Sequence, residues 1–113
     1  MKISELEPTP FWSIFERITQ IPRPSKHEDK ILAWLRDFAR ERGLAYREDE
    51  AGNITILKEA QNSASAEPVA LQSHVDMVCE KDPGIDIDFE NDPIPAYVDG
   101  DHVRARGTTL GAD

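Results

Sequence analysis

Two amphipathic helical segments stand ahead of any apolar strand, and they constrain the fold of this 113-residue chain more than any other feature. Thr9-Pro10 is followed by Phe11, Ile14, Phe15 and Ile18, a spacing that puts four apolar side chains on one helix face. Thr9 can cap that helix, and Pro10 suits its first turn. Ile21-Pro22-Arg23-Pro24 then breaks it. Ser25-Lys26-His27-Glu28 has the form of a capping box, in which the Ser25 hydroxyl and the Glu28 carboxylate satisfy free amides at a helix start. The helix begun there buries Ile31, Leu32, Leu35 and Phe38 and ends at Gly43.

Strand signals follow. Leu44 to Glu48 and Ile54 to Leu57 flank the turn-forming Ala51-Gly52-Asn53. Gln61 to Glu67 is small and polar, as in a surface loop. Val69-Ala70-Leu71 reads as the entry to a buried strand running through Gln72-Ser73-His74-Val75-Asp76. Helices preceding such a strand predict an α/β layer, with helices packed on a mixed, mainly parallel sheet. Past Lys81 the texture changes: Asp82 to Asp101 holds seven acids and no base, and Pro93 and Pro95 interrupt regular pairing. A hairpin is expected at Tyr97-Val98 and His102-Val103, turned by Asp99-Gly100. No internal repeat is visible.

Composition excludes several functions. Thirteen basic against 22 acidic residues give a net charge of −9, which argues against a nucleic-acid or phosphate surface and favours cations. No apolar run reaches the roughly 20 residues that cross a bilayer. The first residues lack the apolar stretch of a secretory signal. With Cys79 as its single cysteine the chain has no intrachain disulfide, which fits a reducing compartment, most simply the cytoplasm.

The chemistry centres on His74-Val75-Asp76. Residues two apart on a strand share a face, so an imidazole and a carboxylate become neighbours. A metal-binding imidazole needs its second nitrogen held by an acceptor, and a carboxylate serves that purpose. In isolation the tripeptide is also what a surface His bonded to Asp would show, and ordinary usage produces it in roughly one such chain in ten. Asp113 closes a loop, Gly107-Thr108-Thr109-Leu110-Gly111-Ala112, in which glycines permit a tight course. A carboxylate presented there could bridge two metal ions about 3.5–4 Å apart, or cap a following helix.

Ser73-His74-Val75-Asp76-Met77-Val78-Cys79-Glu80-Lys81, with Gly107 to Asp113, closely resembles the bacterial aminoacyl-histidine dipeptidases. These belong to the di-zinc peptidases that include carnosinases and the bacterial tripeptidase. The 39 positions from His74 to Asp113 suit that subgroup. Ile21-Pro22-Arg23-Pro24-Ser25 with Glu28, and Asp49 with Gly52-Asn53, are further echoes, so the resemblance spans nearly the whole chain. It implies that His74 ligates one zinc, that Asp76 fixes the His74 ring, and that Asp113 bridges both metals. It also implies a truncated N-terminal portion of a catalytic domain, residues 1–113. A glutamate base, the remaining ligands and a dimerising lid domain would lie elsewhere. The implied activity is hydrolysis of dipeptides of the Xaa-His type, with zinc, or manganese or cobalt in its place, and with no useful turnover from these residues alone.

Rival readings are a non-catalytic α/β binding module and another di-metal peptidase such as a tripeptidase. Asp86, Asp88 and Glu90 match alternate positions of a calcium loop, but Asn91 and Tyr97 stand where it needs Gly and Glu. A solvated acidic face fits better. Cys79 reads as a small packed residue, and His27 and His102 as surface residues.

Overall fold

A computed structural model describes residues 1–65 and 67–112. In chain order it contains a 3₁₀ turn (Ile3–Glu5), helices α1 (Thr9–Thr19) and α2 (Asp29–Glu41), and strands β1 (Ala45–Glu48), β2 (Ile54–Leu57), β3 (Ala96–Asp99) and β4 (His102–Ala105). The chain divides into two compact units. One comprises residues 1–31 and the chain from Asp76 onward; the other comprises Leu32–Val75.

In the first unit, α1 follows the expected periodicity. Phe11, Ile14, Phe15 and Ile18 line one apolar hollow together with Ala112. Its start differs from the expectation. Thr9 is the first helical residue, and the cap residue Pro8 makes no side-chain bond. Glu7 supplies the acceptors instead: its carboxylate takes the Thr9 amide at 3.1 Å and the Thr9 hydroxyl at 3.0 Å. An anion at that position also suits the positive end of the helix. At the other end, Thr19 is fully buried and its carbonyl accepts the Ile94 amide at 3.0 Å. Ile3, Ile31, Met77 and Ile94 are the buried apolar residues of this unit.

The capping box at residues 25–28 does not form. Lys26 takes a left-handed φ of 71°, and the His27 amide closes a turn on the Pro24 carbonyl at 2.9 Å. The Glu28 carboxylate accepts the Lys26 amide at 2.8 Å, and α2 starts only at Asp29. Proline on either side of Arg23 holds the approach to α2 extended, so the chain needs a turn before it can enter the helix.

Strands β3 and β4 pair antiparallel in the expected hairpin, with Asp99 opposite His102. The two turn residues are therefore Gly100, at φ 59°, and Asp101. Asp99 is left on the strand, where its carboxylate meets Arg104 Nε at 2.9 Å.

In the second unit α2 ends as expected. Gly43 has φ 64°, its amide reaches the Arg40 carbonyl, and the Leu44 amide reaches that of Ala39. Ala39 is fully buried, while Leu32, Leu35 and Phe38 are half-buried. Strands β1 and β2 form an antiparallel pair with Glu48 opposite Ile54. The Arg36 guanidinium grips the Glu48 carboxylate with two bonds of 2.8 and 2.9 Å, which ties α2 to β1. Asp49 organises the turn: Oδ1 accepts the amides of Ala51 and Asn53, and Oδ2 accepts the Asn53 side chain. Gly52, at φ 88°, completes it.

The α/β class holds, but the strands make two antiparallel pairs rather than a mainly parallel sheet. The connections explain this, because short links give hairpins while parallel pairing needs long crossovers. Parallel pairing among the described residues is confined to a single bridge between Pro24 and Met77. The buried strand expected from Val69 to Asp76 is also absent. Val69 and Leu71 are 86% and 95% exposed, and no strand is formed there. An apolar run is buried only where neighbours cover it, and local sequence does not specify neighbours.

Donors around Asp49 hold its carboxyl below the ordinary range, led by the Asn53 side chain; Arg36 does the same for Glu48. A depressed carboxylate stabilises the fold above its ordinary value of about 4, and that contribution is lost as pH falls through the folded value. Asp49→Ala is therefore expected to flatten the acid limb of thermal stability against pH. Wild-type and variant profiles that stay parallel down to acid would contradict it.

Candidate functional site

The segment after His74 is held by its backbone from two directions. On one side the Met77 amide donates to the Arg23 carbonyl at 3.0 Å, within the Pro24–Met77 bridge. On the other, the Thr109 amide donates to the Glu80 carbonyl at 2.9 Å, and the Asp82 amide to the Gly107 carbonyl at 2.8 Å. The Thr109 hydroxyl strengthens this seam by donating to the Val78 carbonyl at 2.7 Å and accepting the Glu80 amide at 3.2 Å. The glycine-rich loop thus runs antiparallel to residues 78–82, bridged at Lys81–Thr108.

The glycines are required by this close approach. A Cβ on Gly111 would lie 3.2 Å from Met77 Cβ and 3.3 Å from the Val78 carbonyl, and φ there is 65°. A Cβ on Gly107, at φ 70°, would lie 2.7 Å from Ile85 Cδ1. The loop from Gly107 to Gly111 is thereby brought against the segment that begins with Met77. Asp113 itself lies outside the described residues.

Asp76 belongs to the first unit and is half-buried. Its Oδ2 accepts the Ser25 hydroxyl at 2.5 Å. Arg23, 6% exposed, lies in electrostatic range. Burial pulls its guanidinium below the ordinary value, and the charges of Cys79 and Asp76 act in the opposite direction. His74 lies in the second unit, exposed, on non-regular backbone. Among the described residues, no three His, Cys, Asp or Glu side chains gather to hold a metal ion.

The other candidates have ordinary roles. Cys79 is half-buried, and its thiol donates weakly to the Met77 carbonyl at 3.5 Å. Burial pushes that thiol up, away from the thiolate a nucleophile or soft ligand needs. Both oxygens of Asp88 close a turn, on the Glu90 amide and the Asn91 side chain. Lys30 and Lys81 donate to the carbonyls of Glu90 and Ile87 along this acidic stretch. His27 and His102 are exposed, His27 lying 3.6 Å from Glu90.

The contacts of Ser25, Arg23 and Thr109 were not legible in the sequence. Arg23 and Ser25 stand in the Pro-Arg-Pro-Ser stretch, yet nothing in their spacing pointed 53 and 51 residues ahead to Asp76.

Along its whole length the chain is similar to part of two bacterial proteins named as dipeptidases. No family model matches it. A cytosol non-specific dipeptidase of Escherichia coli (strain K12) is 45% identical over 113 residues, covering 99% of this chain and 23% of that protein. The crystal structure of aminoacylhistidine dipeptidase from Vibrio alginolyticus matches the whole chain with a TM-score of 0.94 and 45% identity, again over 23% of its own length. The chain therefore spans about a quarter of these relatives.

The seam itself is testable. Thr109→Val keeps the shape and removes the hydroxyl, and is expected to cost about 1 kcal/mol. Hydrogen exchange at the Glu80 amide should quicken, and Thr109→Ser should restore protection. Unchanged exchange in Thr109→Val would show that the hydroxyl does not hold the seam.

Proposed function

We propose that this chain forms part of a metal-dependent dipeptidase, to whose dinuclear centre it contributes His74, Asp76 and Asp113. The observation that carries this reading is the likeness along the entire chain to two proteins named as dipeptidases. His74 would hold one metal, Asp76 would hold the His74 ring, and Asp113 would serve both metals. An imidazole with carboxylates suits zinc, and manganese or cobalt would accept the same donors. When bound, the metals supply Lewis-acid polarisation of the scissile carbonyl.

Within the chain, Asp76 acts by fixing the tautomer and plane of the His74 imidazole. The Thr109 seam holds the loop that precedes Asp113 against residues 78–82. A general base and further ligands come from outside these residues. Residues 1–113 alone accordingly bind metal weakly and give no useful turnover, since one imidazole plus one or two carboxylates fall short of a pair of four-coordinate sites.

The substrate class is a dipeptide, with Xaa-His peptides among those accepted. The names of the two relatives differ on this point, one non-specific and the other aminoacylhistidine. No described helix is long and apolar enough to cross a membrane. The proposed location is the cytoplasm, with a homodimer formed through a lid domain outside the chain.

Two measurements test this. In the whole protein that carries the chain, His74→Ala should lower zinc affinity and kcat/KM for an Xaa-His dipeptide by at least about 100-fold, beyond the 10–100-fold of an outer-shell change. Wild-type values in that variant would remove His74 from the centre. Calorimetric zinc titration of residues 1–113 should give a weak isotherm, and a tight two-metal isotherm would overturn the claim of an incomplete site.

A further inference from the structure

We propose that Ser25 is a positioning residue for the metal centre, acting through Asp76. The inference rests on the role given above to Asp76 and extends it to a residue 51 positions earlier.

The residue type and sequence context suit Ser25 to helix capping, and the structure gives it other work. The turn at Lys26 delays α2 to Asp29, and Glu28 is engaged with the Lys26 amide. Ser25 has one hydroxyl proton, and it is directed at Asp76 Oδ2. The pairing is held by the main chain around it. The bridge between Pro24 and Met77 and the bond from the Met77 amide to the Arg23 carbonyl run residues 23–25 alongside residues 76–77. The hydroxyl therefore meets the carboxylate through backbone register, independently of any helix start.

An aspartate carboxylate turns broadly about its last torsion. A donor fixed on Oδ2 selects one plane, and with it the direction of the other oxygen, which is the feature an imidazole-orienting carboxylate must have.

The test uses the whole protein and two readouts, zinc affinity by competition with a chromophoric chelator and kcat/KM for an Xaa-His dipeptide. Ser25→Val and Ser25→Thr are nearly isosteric and differ in the hydroxyl. Ser25→Val is expected to weaken zinc binding about tenfold, the lower end for an outer-shell partner, and Ser25→Thr to stay near wild type. In the background of Asp76→Ala, adding Ser25→Val should change nothing further, because Ser25 acts only through that carboxylate.

Equal zinc affinity in Ser25→Val and Ser25→Thr, with His74→Ala impaired, would overturn the role of Ser25 and leave the metal centre standing. An additive loss in the double variant would also overturn it. Wild-type zinc affinity in His74→Ala would instead defeat the metal reading, and the role of Ser25 with it. Thermal unfolding of each variant separates a folding defect from a loss of affinity.

Discussion

The backbone of residues 77–82 is the constraint around which the first unit is arranged. A stretch this short cannot satisfy its own amides and carbonyls, and leaving them unpaired away from water is costly. The partners come from residues 23–24 on one side and 107–109 on the other. These contacts join parts of the chain that are far apart in sequence. The entry to α2 and the glycine-rich loop are therefore both positioned by the segment carrying Asp76. Mobility in either flank would be felt at that carboxylate, and the closeness allowed by Gly111 shows how little slack the arrangement has.

Local order was largely legible in the sequence. Helix α1, the end of α2 at Gly43 and both hairpins follow from periodicity and turn residues, because contacts within about ten residues decide them. Thr9 and Ser25 were misread for one reason. Each is a good capping residue by type, and each gives its hydroxyl proton to a carboxylate, Glu7 in one case and Asp76 in the other. Sequence shows that a hydroxyl is available; which acceptor competes best is decided by the fold. The sheet was misjudged because a run such as Val69-Ala70-Leu71 specifies an apolar strand without specifying its neighbours.

The candidate site was read from the sequence in a different way. His74 and Asp76 stood out through resemblance and through the alternation of an extended chain. The use of Thr109 to stitch the loop to residues 78–80 is a side-chain to main-chain contact across 29 to 31 positions, and no spacing rule anticipates it. The same holds for Arg23, whose burial beside Asp76 and Cys79 appears only once the turn at Pro24 is built.

The exposure of Val69 and Leu71 has a consequence for the behaviour of these residues in solution. An extended segment with alternate apolar side chains in water is a template for strand addition, and identical chains can pair through it. The residues just ahead of it oppose this: Pro68 lacks an amide for a ladder, and Glu67 adds charge. Two residues outside any helix or strand, and outside the candidate site, thus oppose pairing through that segment.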